Sequence, residues 1–78
     1  MPGQGGPNLS QLGIGQIGIV RTLGGGHVFR SRAAHLGFTM GAEVTMLQNY
    51  GHGPVIVALR GTRVALGRDE AALVSIEA

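Results

Sequence analysis

The chain contains no cysteine, and its six basic residues are all arginine, so it has no lysine. Without cysteine there is no disulfide, no thiolate metal site and no thiol nucleophile, which suits a reducing compartment. Without lysine a Walker-type phosphate loop is excluded, because that loop needs a lysine to reach the phosphates. Charge is scarce as well. Only four acidic residues accompany Arg21, Arg30, Arg32, Arg60, Arg63 and Arg68, for a formal net charge of +2, and the arginines are scattered along the chain. The sequence pI near 10.6 reflects six arginines in a lightly charged chain. No basic block is present, so no nucleic-acid partner is expected.

Long apolar runs are missing too. The longest useful one, Pro54 to Leu59, is far short of the ~20 residues that span a bilayer. The N-terminus has neither a basic start nor the apolar stretch of an export signal. A cytoplasmic protein with no direct membrane insertion is therefore expected. The hydroxyls of Ser10, Thr22, Ser31, Thr39, Thr45, Thr62 and Ser75 form no pattern with a histidine and an acid, so no catalytic residue and no enzyme is expected.

Glycine is what the chain has in excess, 15 of 78 residues, far above the usual ~7%. Hydrophobic residues nevertheless make up 44% of the chain, and its valines, isoleucines and leucines fall in short, regularly spaced runs. Disordered chains lack such runs. Short strands joined by glycine turns fit better, in one small domain that buries roughly 60% of its unfolded surface.

Residues 1–8 (MPGQGGPN) are expected to form a disordered tail, with the domain over 9–78. Leu9 and Leu12 lead into it as a short turn seated on the barrel. Gln16 to Thr22 reads as a strand in which Ile17 and Ile19 face one way and Gln16 and Gly18 the other. From Val28 to Leu36 the period changes. Phe29, Ala33 and Leu36 share a helical stripe, and Gly37 stands where a left-handed residue stops the helix. Met40-Gly41 is a turn. Glu43 to Asn49 is a strand with Val44 and Met46 on one face, and Gly51 to Pro54 closes a hairpin onto Val55, Val57 and Leu59. Gly61-Thr62 is a tight turn before Arg63 to Leu66, with Val64 and Leu66 inward. Gly67 to Ala72 has room for one turn, and Leu73 to Glu77 ends the chain as a strand with Val74 and Ile76 together. The fold class is mainly β: five short strands and one short α-helix. At this spacing they favour a barrel, since closure removes exposed edges.

Several motifs resemble the FeoA family. Leu36-Gly37-Phe38-Thr39-Met40-Gly41 is similar to its "LGL-x-x-G" signature after a short helix, and Val44 to Leu59 to its strand, loop and "GPV-x-V" strand. Val64-Ala65-Leu66-Gly67-Arg68 with Ala71, Ala72, Val74 and Ile76 resembles its C-terminal pattern, and Gly15 to Val20 its "G-x-x-G-x-I" start. At Gly67, where the family often carries arginine, this chain has Arg68 one position later. The resemblance covers Leu9 to Glu77 and implies an SH3-like barrel. It also implies an accessory, regulatory role in ferrous iron transport, as a cytosolic interaction module for the FeoB transporter near its GTPase region. The same barrel resembles the C-terminal domain of iron-dependent repressors, so the alternative is a metal-sensing or transition-metal-binding domain.

Each candidate site has a plain structural counterpart. Gly13-x-Gly15-x-x-Gly18 matches a dinucleotide fingerprint in letters only, because no strand precedes it and a strand, not a helix, follows. Gly24-Gly25-Gly26 reads as a structural loop. His27, His35 and His52 are the candidates for Fe(II) or another divalent transition metal, although no cofactor is required. Their spacing is poor for a shared site, and His35 suits the end of a helix, where the dipole favours a cation. Val20, Leu47, Ile56 and Leu73 fall on the opposite parity from the core residues of their strands, so they are expected to point outward as a partner-binding surface. Tyr50 is a candidate aromatic anchor beside them, and a patch of this kind also allows self-association.

Overall fold

In the computed structural model, residues 7–77 are described. The elements run β1 (Ile17–Leu23), α1 (His27–Leu36), β2 (Glu43–Gln48), β3 (Val55–Leu59), β4 (Thr62–Leu66), α2 (Arg68–Ala71) and β5 (Val74–Glu77), preceded by a 3₁₀ turn at Leu9–Gln11. The strands form a single antiparallel sheet in the order β4-β3-β2-β1-β5. The chain is mainly β with a short helix, as the residue pattern implied, and α2 is the single turn foreseen after Gly67.

Alternation places most of the core. Val44 and Met46 on β2, Val55, Val57 and Leu59 on β3, Val64 and Leu66 on β4, and Val74 and Ile76 on β5 are all buried. β1 departs from expectation. Gly18 and Val20 face inward, while Ile17 is exposed and Ile19 half-buried. The reason is room. A Cβ at Gly18 would lie 2.9 Å from Ile76 Cδ1 and 3.2 Å from Leu12 Cδ1, so those two side chains fill the space over the glycine.

Turns are set by backbone chemistry. Leu59 pairs with Thr62, so the hairpin loop is Arg60-Gly61, one residue earlier than expected, with φ of 55° and 79°. Positive φ at both positions matches the right-handed twist of the flanking strands. α1 ends at Gly37 with φ 107°. The Phe38 amide donates to Ala33 O and the Gly37 amide to Ala34 O, both at 3.0 Å. That pair of bonds is the Schellman stop, in which only glycine sits comfortably. Of the expected helical stripe, Ala33 is buried, Phe29 packs on the core from a half-buried position, and Leu36 is exposed.

Among the described residues no ladder joins β4 to β5. The 3₁₀ turn packs on both α2 and β5, and the fully buried Leu9 and Ala71 carry the core across this side. Asn8 caps the turn, its side chain accepting from the Ser10 amide while Gln11 Oε1 accepts from the Asn8 amide, a reciprocal capping box. Of the tail expected over 1–8, residues 1–6 lie outside the described residues. Pro7 and Asn8 are held against β5: Ile76 N donates to Pro7 O at 3.0 Å and Asn8 bridges to Ser75.

β1 changes neighbours along its length. Among the described residues Ile17 and Gly18 pair with β2 alone and Ile19 and Val20 lie between β2 and β5, and the last bonds on the β2 side are Val20 N to Ala42 O and Gly41 N to Val20 O. Beyond that point the chain on the β2 side turns away toward Phe38. Thr22 and Leu23 keep only their pairing with β5, after a bulge at Arg21.

Candidate functional site

Leu47 is the extra residue of a second bulge. Met46 pairs with Val57 and Gln48 with Ile56, so Leu47 has no opposite number and is turned outward, 38% exposed. Bulges re-aim side chains in this way. Its surroundings on the outer sheet face follow from register, because directly paired antiparallel residues share a face. Ile17, Thr45, Ala58 and Arg63 form one row across β1 to β4, and Gln48, Ile56 and Ala65 the next. Ile14, in the turn before β1, stands near the same end, because the neighbouring Gly15 amide donates to Met46 O at 2.7 Å. The face therefore carries Ile17, Leu47 and the half-buried Ile56, with the exposed Ile14 in the turn beside it.

Of the five residues expected to contact a partner, the structure groups two, Leu47 and Ile56. Tyr50 follows the end of β2 and is 65% exposed. Leu73 is half-buried at the other end of β1, where its carbonyl accepts from the Gly24 amide at 2.7 Å. Val20 must be corrected. It is 1% exposed, because Gly18 and the bulge at Arg21 set the parity of β1 and turn Val20 into the core. Ile14 and Ile17 were missed. Gly18, which has no side chain to mark it in the sequence, takes the inward place on β1, so Ile17 points out. Met40, 80% exposed after α1, was missed as well.

The three histidines stand apart. His27 opens α1, His35 lies in its last turn, roughly 12 Å further along at 1.5 Å per residue, and His52 is in the loop between β2 and β3. All are exposed, and among the described residues no group of three or more His, Asp or Glu is placed to hold a metal ion. His35 Nδ1 lies 3.3 Å from Ser31 O, within its own helix. The arginines are equally dispersed. Arg32 pairs with Glu70 and stands over the Phe29 ring, Arg60 donates to Thr39 Oγ1, and Arg63 lies on the outer sheet face. Phe38, 0% exposed, offers no stacking face to a base.

Arg68 and Asn49 form a polar hub. Arg68 Nη2 donates to Asn49 Oδ1 at 2.7 Å and Nε to Gly53 O at 3.1 Å. Asn49 Nδ2 donates to Ser10 O and Leu12 O at 3.0 and 2.9 Å. These bonds hold the β2–β3 loop, the 3₁₀ turn and α2 together, which fixes the end of the sheet that displays Leu47 and Tyr50.

A FeoA domain matches the sequence over residues 8–78. The chain belongs to the FeoA family. FeoA is an accessory domain of ferrous iron transport, and its fold is SH3-like. The crystal structure of an iron uptake regulatory protein (FeoA) is 35% identical, covering 91% of this chain and 95% of that one with a TM-score of 0.85. The Stenotrophomonas maltophilia FeoA, solved with zinc and described as a prokaryotic SH3 domain protein, is 28% identical over 92% of this chain and 91% of its own, with a TM-score of 0.82. A manganese-dependent transcriptional repressor with bound manganese superposes at a TM-score of 0.86 with 20% identity, covering 99% of this chain but 38% of that one. That likeness is one of fold. No curated protein sequence matches the chain. No helix among the described residues is long and apolar enough to cross a membrane.

Proposed function

We propose that this FeoA chain is a cytosolic protein-interaction module that regulates ferrous iron transport by docking on the GTPase region of a FeoB-type transporter. The observation that carries this is the outer sheet face, where the bulge at Leu47 presents an isoleucyl- and leucyl-rich surface with Ile14, Ile17 and Ile56. Grouped apolar side chains on the surface of a small domain favour a partner. Family membership supplies the process in which that partner works. Tyr50 lies beyond the end of the same strand and serves as an aromatic anchor at the rim. Leu73 belongs to a separate, smaller contact at the opposite end.

Leu47→Glu tests this surface. As a bulge residue with no cross-strand partner, it should tolerate the change within about 1 kcal/mol of folding stability. Titrating ¹⁵N-labelled protein with the transporter's soluble GTPase region should shift Ile14, Ile17, Leu47 and Ile56 in the parent and bind about tenfold more weakly in the variant. Unfolding of the variant, or unchanged binding, would sink the assignment. The same protein titrated with Fe(II) alone under reducing conditions reads the metal alternative, through saturable shifts at His27, His35 or His52.

A further inference from the structure

We infer that the groove between α1 and the second half of β1 receives an extended, acidic segment of a partner protein, added as a strand against Arg21–Leu23. This deepens the interaction-module assignment and rests on it, but it names a different surface and the chemistry of what binds there.

The groove arises where β1 parts from the chain on its β2 side. After the bond from Gly41 N to Val20 O the two backbones diverge, and Thr22 and Leu23 are paired only with β5. A strand with one side unpaired and an apolar trough beside it is what β-augmentation uses, the main chain supplying affinity and pockets selecting alternate side chains. The trough has a volume of about 380 Å³. Leu23, Ala34 of α1 and the exposed Met40 give it accessible apolar surface, over a floor closed beneath by the buried Val20 and Phe38. Its walls are more apolar than those of the hollow on the outer sheet face, which Glu43 and Arg60 line.

Charge identifies the occupant. Arg21 and Arg30 are the charged residues that line the trough, and no carboxylate does. Both are exposed, and neither has an acidic partner among the described residues. Arg30 Nη1 is held on Gly25 O at 2.7 Å, which fixes the guanidinium and leaves its other nitrogens free to bind a carboxylate. Glu77 lines the adjoining hollow, which shares Val20, Arg21, Thr22 and Met40 with the trough, but does not line the trough itself. Apolar side chains alternating with carboxylates therefore match the floor and the rim together, and a basic segment does not.

The test uses the full chain, ¹⁵N-labelled, and two blocked hexapeptides, one alternating valine with glutamate and one with lysine in place of glutamate. The acidic peptide should give saturable shifts at Arg21–Leu23, Ala34 and Met40, with about tenfold weaker binding of the lysine peptide. Arg21→Glu, and separately Arg30→Glu, should each weaken the acidic peptide about tenfold while keeping a dispersed spectrum. Equal binding of the two peptides, shifts centred on Leu47 and Ile17, or no saturable shift would overturn the proposal. A parallel titration with the transporter's GTPase region separates the two assignments. Peptide binding without a transporter response keeps the groove and ends the transporter assignment. A transporter response without peptide binding does the reverse.

Discussion

Replacing Arg68 by alanine should destabilise the domain by about 2 kcal/mol. Arg68 is half-buried and gives two well-formed bonds, to Asn49 Oδ1 at 2.7 Å and Gly53 O at 3.1 Å, while its contact with Ser10 O at 3.5 Å is at the limit of a hydrogen bond. Each well-formed bond contributes roughly 1 kcal/mol net. The abandoned acceptors are not left bare, which keeps the loss from growing. Asn49 Oδ1 still accepts from the Gly51 amide, and Ser10 O from Asn49 Nδ2. For a domain of this size the loss corresponds to a fall in melting temperature of roughly 8–16 °C. Arg68→Lys should recover about half, since one ammonium cannot reach two acceptors as a planar guanidinium fork does. Arg63→Ala, an exposed residue on the outer sheet face, is the control and should change stability by less than about 0.5 kcal/mol. Urea and thermal unfolding followed by far-UV circular dichroism measure all three. An Arg68→Ala variant as stable as the Arg63→Ala control would refute the hub.

Gly18→Val should cost about 1–3 kcal/mol by overpacking, because even its Cβ would meet Ile76 at 2.9 Å; urea midpoints against the parent check this. Gly37→Ala should cost about 1 kcal/mol, since φ of 107° at the end of α1 suits glycine alone and a Cβ there would lie 3.0 Å from Arg60 Cδ. Unfolding of that variant under the same conditions should leave the slope with urea unchanged, and a rise in midpoint would contradict the assignment.

Most of the sheet was legible because the apolar residues of β2, β3, β4 and β5 recur at every second position, with Val44/Met46, Val55/Val57/Leu59, Val64/Leu66 and Val74/Ile76 inward. The helix stop at Gly37 was legible from glycine's tolerance of positive φ. β1 was not, because hydrophobic periodicity counts side chains and Gly18 has none. Its inward position depends on Leu12 and Ile76, distant in sequence, reaching over it. The exposure of Leu47 followed from parity, but its cause, a bulge, is a property of two strands and not of one. The histidines carried no useful spacing and the structure leaves them separate. The trough beside α1 had no signature in the letters. It depends on where two backbones diverge after Val20, which neither segment encodes alone.

The exchange of neighbours along β1 also orders events during folding. β1 and β5 lie far apart in sequence, and the second half of β1 pairs only with β5. Until the C-terminal residues are free to dock, Thr22 and Leu23 have no strand to join on either side, and the 3₁₀ turn lacks the Ile76 amide that binds Pro7 O. The β2–β3–β4 meander, built from successive hairpins, can form earlier from local contacts. Closing the widest loop in the chain is then the slow step, and pairings so distant in sequence lengthen folding to the millisecond range or beyond. While β5 is undocked, Thr22 and Leu23 are unpaired on both sides, and its docking covers one side while the edge facing α1 stays open.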